Sequence, residues 1–187
     1  MNGSPDERGV FELALSPSLR GTILDVGGGG ECVIGRLYGR RVIAIDNCRE
    51  ELEDAPDCCE KRLMDARSLA FPADSFDNVT FFYALMYMSR EVQGLALREA
   101  SRVLRDGGTL CIWDVDIPSA WPEPFVARLR IRLADGELRA DYGILKDEAQ
   151  DMAQIDRMAI DCGLVPMARS RRGGHFYLEY RGRAAGT

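Results

Sequence analysis

Ile23-Leu24-Asp25-Val26-Gly27-Gly28-Gly29-Gly30-Glu31 carries a short run of strand-forming residues straight into four glycines and an acid. Glycines at such a junction let the backbone turn sharply and let a ligand come close where a side chain would collide. Taken alone, the stretch is equally readable as a tight turn, so its neighbours decide. A short helix over 32–38 follows it, and apolar runs at 22–26, 41–45, 61–64, 78–82 and 109–113 alternate with helical patterns. That alternation is the rhythm of a parallel sheet, and the near-continuous Ile, Val, Leu and Phe content fits strands covered on both faces.

Working outward, Ser89 caps a helix whose apolar residues Val92, Ala96, Ala100, Val103 and Leu104 recur until Asp106-Gly107-Gly108 stops it. A second helix is expected over 146–162, with Ala149, Met152, Ile155, Ala159 and Cys162 on one stripe and Gly163 as its stop. Strands at 164–170 and 175–180 are separated by only 171–174, which calls for an antiparallel hairpin at the end of the chain.

One insertion breaks the rhythm. After Pro118, Pro122 and Pro124, residues 127–142 alternate apolar with charged around Asp135-Gly136, the signature of a two-residue hairpin turn. The expected register sets Leu133 opposite Leu138, Ile131 opposite Ala140 and Leu129 opposite Tyr142. It also puts Arg132 across from Arg139, with Asp141 beside Arg130 as the compensating charge. An isolated ribbon is marginal in water, so its apolar face needs a cover: the edge of the sheet, or the same hairpin of a second chain in a homodimer. Its arginine face is either an edge defence or a receiver of anions. The whole chain, 1–187, is expected to be one domain with 118–145 as an inserted lid or dimer element.

Composition narrows the classes. The 187 residues are 46% hydrophobic, with 24 basic and 30 acidic side chains and a net charge of −6, which disfavours general nucleic-acid binding. No apolar run approaches the roughly 20 residues a membrane span needs, and the polar opening 1–9 lacks the apolar stretch of a signal peptide, so a cytoplasmic protein is expected. Six cysteines without a C-x-x-C pair, and a single histidine, give no metal set. The adjacent Cys58 and Cys59 are of a type that binds thiophilic metalloids, but without a third thiol placed nearby they read as incidental.

Asp46 ends the second strand, nineteen residues after Gly27, where a carboxylate accepts both hydroxyls of a ribose. The adenosyl ligand then carries either a nicotinamide dinucleotide or a methionine. Glu31 and Asp25 would oppose a pyrophosphate at the loop, whereas S-adenosylmethionine has no phosphate and carries a sulfonium and an ammonium.

At this point the sequence resembles a family. The 23–30 stretch is similar to the first motif of class I S-adenosylmethionine-dependent methyltransferases, and Asp46 matches their acid after the second strand. Met64-Asp65-Ala66, Phe71-Pro72-Ala73-Asp74-Ser75-Phe76-Asp77 and Arg102-Val103-Leu104-Arg105-Asp106-Gly107-Gly108 resemble three further motifs, in order. The resemblance implies a Rossmann-like, doubly wound α/β fold with a mostly parallel seven-stranded sheet and an antiparallel C-terminal strand. It implies S-adenosylmethionine held by Asp25, Gly27, Gly28, Gly29, Asp46, Asn47, Asp65, Ala66 and Phe82, with Asp65 accepting from the adenine amino group. Glu31 and Cys32 depart from the family's third glycine.

Methyl transfer needs alignment more than a base. Asp114, Asp116 and Tyr87 are the candidates if a base or an orienting group is used, and the acceptor is expected to be a small molecule. Tyr83, Tyr87, Met86, Met88, Trp113 and Trp121 are candidate wall residues or core, and His175 reads as structural, at the far end of the sheet. Two other readings stay open: a cofactor-binding scaffold without catalysis, and a nicotinamide-dependent oxidoreductase with six parallel strands.

Overall fold

The computed structural model describes residues 10–15, 18–118, 122–133 and 136–183. The opening 1–9, Trp121 and the turn residue Asp135 lie outside the described residues. The chain opens on β1 (Val10–Ala14), β2 (Ile23–Val26), α1 (Val33–Tyr38), β3 (Val42–Asp46), α2 (Arg49–Asp54) and β4 (Glu60–Leu63). It continues with β5 (Phe76–Phe82), α3 (Arg90–Val103) and β6 (Leu104–Val115). After the hairpin β7 (Phe125–Leu133) and β8 (Gly136–Ile144) come α4 (Met152–Asp161), β9 (Val165–Arg172) and β10 (His175–Arg181).

Seven strands form the main sheet in the order β4-β3-β2-β5-β6-β10-β9. All neighbours pair in parallel except β10, which is antiparallel to both β6 and β9. The expected α/β fold is therefore present, with strand order reversing between β2 and β5. Successive strand residues are buried on opposite faces: Ile23, Val42 and Trp113 in one core, Leu24, Ile45 and Ile112 in the other.

Ser89 caps α3 as expected, accepting from the Val92 amide at 3.4 Å. The later helix is shorter than 146–162. Its cap is Asp151, which accepts from the Gln154 amide at 2.7 Å, and residues before it have other work. Gln150 exchanges both main-chain hydrogen bonds with Ile117, and Lys146 Nζ reaches the Met86 and Met88 carbonyls.

A strand not anticipated, β1, adds in parallel to β7, making a three-stranded sheet in the order β1-β7-β8. This sheet covers one face of the main sheet together with α1, while α3 and α4 cover the other. The hairpin register also differs from expectation by two residues: Leu133 faces Gly136, Ile131 faces Leu138, Leu129 faces Ala140 and Ala127 faces Tyr142. A shift of two keeps every side chain on its own face, so the apolar face survives. Phe11 and Leu13 extend that face beside Leu129 and Ile131, and all four are buried in the chain's own core. The need for a second copy to cover it disappears.

The new register puts Arg130, not Arg132, across from Arg139. Own-chain carboxylates relieve the repulsion. Arg130 pairs with Glu12 at 2.9 Å and Glu137 at 3.2 Å, Arg132 with Glu12 at 3.7 Å, Arg128 with Asp141 at 3.7 Å and Arg139 with Glu137 at 3.4 Å.

If β1 is the cover, Phe11→Ala should cost about 3 to 5 kcal/mol in denaturant unfolding. The parent's melting temperature should not change with protein concentration; a rise with concentration would instead mean that a second chain supplies part of the cover.

Candidate functional site

Beyond the carboxyl ends of β2 and β5, where the strand order reverses, lies a cleft of about 800 Å³. Asp25, Gly27, Gly28, Gly29, Asp46, Asn47, Asp65, Ala66 and Phe82 all line it, so the structure brings the expected cofactor residues together. Their setting explains each one.

The glycine loop is knitted to β3 and α2. The Gly27 and Gly28 amides donate to the Ile45 carbonyl at 2.8 and 3.0 Å, Gly30 donates to the Glu51 carbonyl at 2.8 Å, and Gly29 donates to Asp46 Oδ2 at 3.3 Å. All four amides are spent within the chain, which leaves no nest for a phosphate. A Cβ on Gly27 would stand 2.5 Å from Ala84 Cβ, one on Gly28 2.5 Å from Asp25 Oδ2, and one on Gly29 2.7 Å from Glu51 Cβ. Side chains are therefore excluded first by the chain's own packing, before any ligand is considered.

Acids dominate the lining: Asp25, Glu31, Asp46, Glu51, Asp65 and Asp141, against Arg67 alone among basic side chains of the described residues. Asp25 is buried, accepts from Thr80 Oγ1 at 2.7 Å, and burial pushes its carboxyl up to about 7. Burial and then the Asp46 charge raise Glu51 as well. Asp46 accepts one amide on each oxygen, from Gly29 and from Cys48 at 2.9 Å, leaving lone pairs toward the cleft. Asp65 is held by Arg67, whose Nη2 lies 2.6 Å from Oδ2, and hydrogen bonding by Arg67 keeps the carboxyl below its usual value. Glu51 is an acid that the sequence reading missed, because α2 is a helix of six residues without an apolar stripe.

Aromatic side chains form the opposite wall. Tyr142 of β8 stacks on Tyr83 with centroids 5.4 Å apart, and burial, then the Glu31 charge, raise its hydroxyl well above the usual value, so the inserted hairpin closes one side of the cleft through 141–143. Phe82, Tyr87 and Met88 continue this wall, whereas Met86 and Trp113 are core residues. Tyr83 Oη lies 2.7 Å from His175 Nδ1, and the imidazole stacks on Phe11 at 4.1 Å. His175 is structural as expected, yet not at the far end of the sheet. β10 runs antiparallel, so its first residue pairs with Val115 at the carboxyl end of β6, behind the aromatic wall. Burial depresses the imidazole to about 4.

Of the three catalytic candidates only Tyr87 lines the cleft, and burial raises its hydroxyl to about 12. Asp114 and Asp116 are corrections. The strand β6 runs on to Val115, so Asp114 is still inside the sheet, fully buried. It accepts from the Val115 amide at 2.8 Å, Gln150 Nε2 at 2.9 Å and the Met86 amide at 3.1 Å, with burial pushing it up to about 7. Gln93 and Lys146 complete this clamp on the turn that carries Tyr87. Asp116 accepts the Met152 amide at 2.8 Å and pairs with Arg171 at 2.6 Å, facing α4 instead of the cleft.

The thiols also depart from expectation. Cys58 and Cys59 do have a third thiol beside them: Cys32 Sγ lies 3.4 Å from Cys59 Sγ and 3.7 Å from Cys58 Sγ. Sequence spacing of 26 residues hides this contact, which depends on α1 packing against the approach to β4.

Comparison with known proteins follows the geometry. Residues 24–112 match the family model described as "Methyltransferase domain". The chain is 32% identical over 117 residues to 2-methyl-6-phytyl-1,4-hydroquinone methyltransferase 2 of Oryza sativa subsp. japonica, an alignment covering 56% of this chain and 32% of that protein. It is 30% identical over 160 residues to demethylmenaquinone methyltransferase of Tropheryma whipplei, covering 75% of this chain and 65% of that one. The chain thus spans about a third and just under two thirds of these relatives. A crystal structure of a SAM-dependent methyltransferase from Methanosarcina mazei superposes with a TM-score of 0.62 at 19% identity, covering 92% of this chain and 100% of that one. No described helix is long and apolar enough to cross a membrane.

Two outcomes check the assignments behind the wall. The folded chain keeps His175 neutral down to about pH 4, while the unfolded chain takes up its proton near 6.5. Between those values the unfolded state binds more protons, so His175 makes stability fall as pH drops from 6.5 toward 4. In His175→Gln that part of the fall should vanish; an unchanged pH profile would mean that the imidazole titrates normally. Asp114→Asn sets an amide against the Met86 N–H and should cost about 1 to 3 kcal/mol, read by denaturant unfolding.

Proposed function

We propose that the chain is a member of the class I S-adenosylmethionine-dependent methyltransferase family and transfers a methyl group from S-adenosylmethionine to a small-molecule acceptor. The observation that carries this reading is the acid-lined cleft at the strand reversal, reached by a glycine loop with no amide to spare for phosphate. A donor with two cations and no phosphate fits that lining; a dinucleotide places its pyrophosphate against Glu31. The antiparallel β10 likewise departs from the six parallel strands of the oxidoreductase reading.

When bound, S-adenosylmethionine supplies an electrophilic methyl carbon on a cationic sulfur. Asp46, with Asn47 beside it, accepts the ribose hydroxyls through its free lone pairs. Asp65 and Ala66 take the adenine edge, with Arg67 holding the carboxylate in place. Asp25, Gly27, Gly28, Gly29 and Phe82 bound the methionine half. Glu31, which lines the cleft with Tyr142, would add negative charge near the sulfonium.

On the acceptor side, Phe82, Tyr83, Tyr87, Met88 and Tyr142 offer flat, apolar surface that excludes water and aligns the attacking atom. The two relatives are named for a hydroquinone and for demethylmenaquinone, and the aromatic wall suits an acceptor with a planar ring. Tyr87, protonated at neutral pH, orients the acceptor by donating a hydrogen bond and does not act as a base. We place this reaction in the cytoplasm, where thiols stay reduced.

Asp46→Ala should weaken S-adenosylmethionine binding tenfold or more, the loss of a charge-assisted contact worth about 1.5 to 3 kcal/mol. Donor titration and transfer of labelled methyl to a panel of small quinols and phenols provide the check. A variant binding as tightly as the parent contradicts the site; a parent that binds donor but methylates nothing supports a scaffold.

A further inference from the structure

The remaining cluster of reactive side chains outside the cleft's acids is the thiol triad. Cys32, Cys58 and Cys59 bring three sulfurs within 4.8 Å of one another, and among the described residues the set contains no carboxylate or imidazole. Cys32 holds a left-handed backbone conformation, φ 49°, that side chains other than glycine rarely adopt. This places its sulfur against the other two.

Gly35, in the first turn of α1, makes the arrangement possible. A Cβ there would touch Cys32 Sγ and stand 2.7 Å from Cys59 Sγ and 3.0 Å from Cys58 Sγ. All three sulfurs thus converge on the face of α1 at Gly35, which they can do because residue 35 has no side chain. Three sulfurs bonded to one centre at about 2.3 Å stand at most about 4 Å apart, and Cys32 Sγ already lies 3.4 Å from Cys59 Sγ and 3.7 Å from Cys58 Sγ.

We propose that Cys32, Cys58 and Cys59 form a binding site for one soft, thiophilic ion that accepts three sulfur ligands, such as trivalent arsenic or monovalent copper. All-sulfur ligation selects soft ions over magnesium or calcium. Structural zinc closes its shell with four protein ligands, one more than this set provides. With arsenite the step is a ligand exchange without redox change: three As–O bonds of As(OH)3 break and three As–S bonds form. The three thiol protons leave in three water molecules. Cys32 also lines the cleft, and its amide donates to the Gly29 carbonyl at 3.2 Å, so a bound ion ties the end of the glycine loop to the 58–59 segment.

The test uses the reduced full-length chain, titrated separately with arsenite, with Cu(I) against a competing chelator, and with Zn(II). Arsenite or Cu(I) should bind one equivalent, and X-ray absorption at the bound ion's edge should show three sulfur neighbours. Cys58→Ser should lower the affinity at least tenfold, while Cys162→Ser leaves it unchanged. Two sulfur neighbours or fewer, affinity unaltered in Cys58→Ser, or tighter binding of Zn(II) than of both soft ions would overturn the proposal. So would a reduced chain that closes a Cys32–Cys59 disulfide and never takes an ion. If Cys58→Ser fails to fold, the sulfur count at the ion in the parent decides alone. Neither readout involves methyl transfer, so this site and the proposed activity fail independently.

Discussion

Between β2 and α1 the backbone passes through a space that admits no Cβ. Ala84 closes it from the end of β5, Asp25 and Ala44 from below, and Glu51 and Asp46 from the side of α2. Four glycines meet that constraint, and their amides bind Ile45, Glu51 and Asp46. The loop therefore fixes β2 against β3 and α2 at the strand reversal, and the cleft exists because this junction stays thin. Asp46 and Glu51, whose charges would repel one another in a closed core, are tolerated here as the rim of an opening, while Asp25 beneath them is buried and held by Thr80. The same charges bias the cleft toward cations.

The opposite wall comes from an unusual source. Part of one face of the main sheet carries a second sheet in place of helices, and β8 presents Tyr142 to both Glu31 and Tyr83. β1 makes this stable by extending the apolar face with Phe11 and Leu13 and by supplying Glu12 to the arginines. With acids of its own chain within 4 Å of each of Arg128, Arg130, Arg132 and Arg139, the basic face is largely self-neutralised and suits edge protection better than anion capture.

Much of this was legible in the sequence where local pattern and burial agree. Parallel strands buried on both faces read as continuous apolar runs, so β2, β3 and β5 stand out, and the Gly27–Asp46 spacing points to the cleft. β1 was not legible, because five residues with one strand neighbour carry too little pattern. The Asp135-Gly136 signal displaced the hairpin register by two, since turn chemistry was weighed without the partner strand. Asp114 misled because β6 continues two residues past its apolar run, which turns a presumed rim carboxylate into a buried clamp. The thiol triad depends on tertiary contact alone.

The central claim, that an acidic cleft with an amide-saturated glycine loop selects a cationic adenosyl ligand without phosphate, is tested most directly by calorimetric titration of the parent chain. S-adenosylmethionine, its demethylated product and NAD are compared at low and high salt. One equivalent of S-adenosylmethionine should bind, tighter than the product at low salt with the gap narrowing as salt screens the sulfonium, and NAD should not compete. NAD binding as tightly as S-adenosylmethionine would contradict the account.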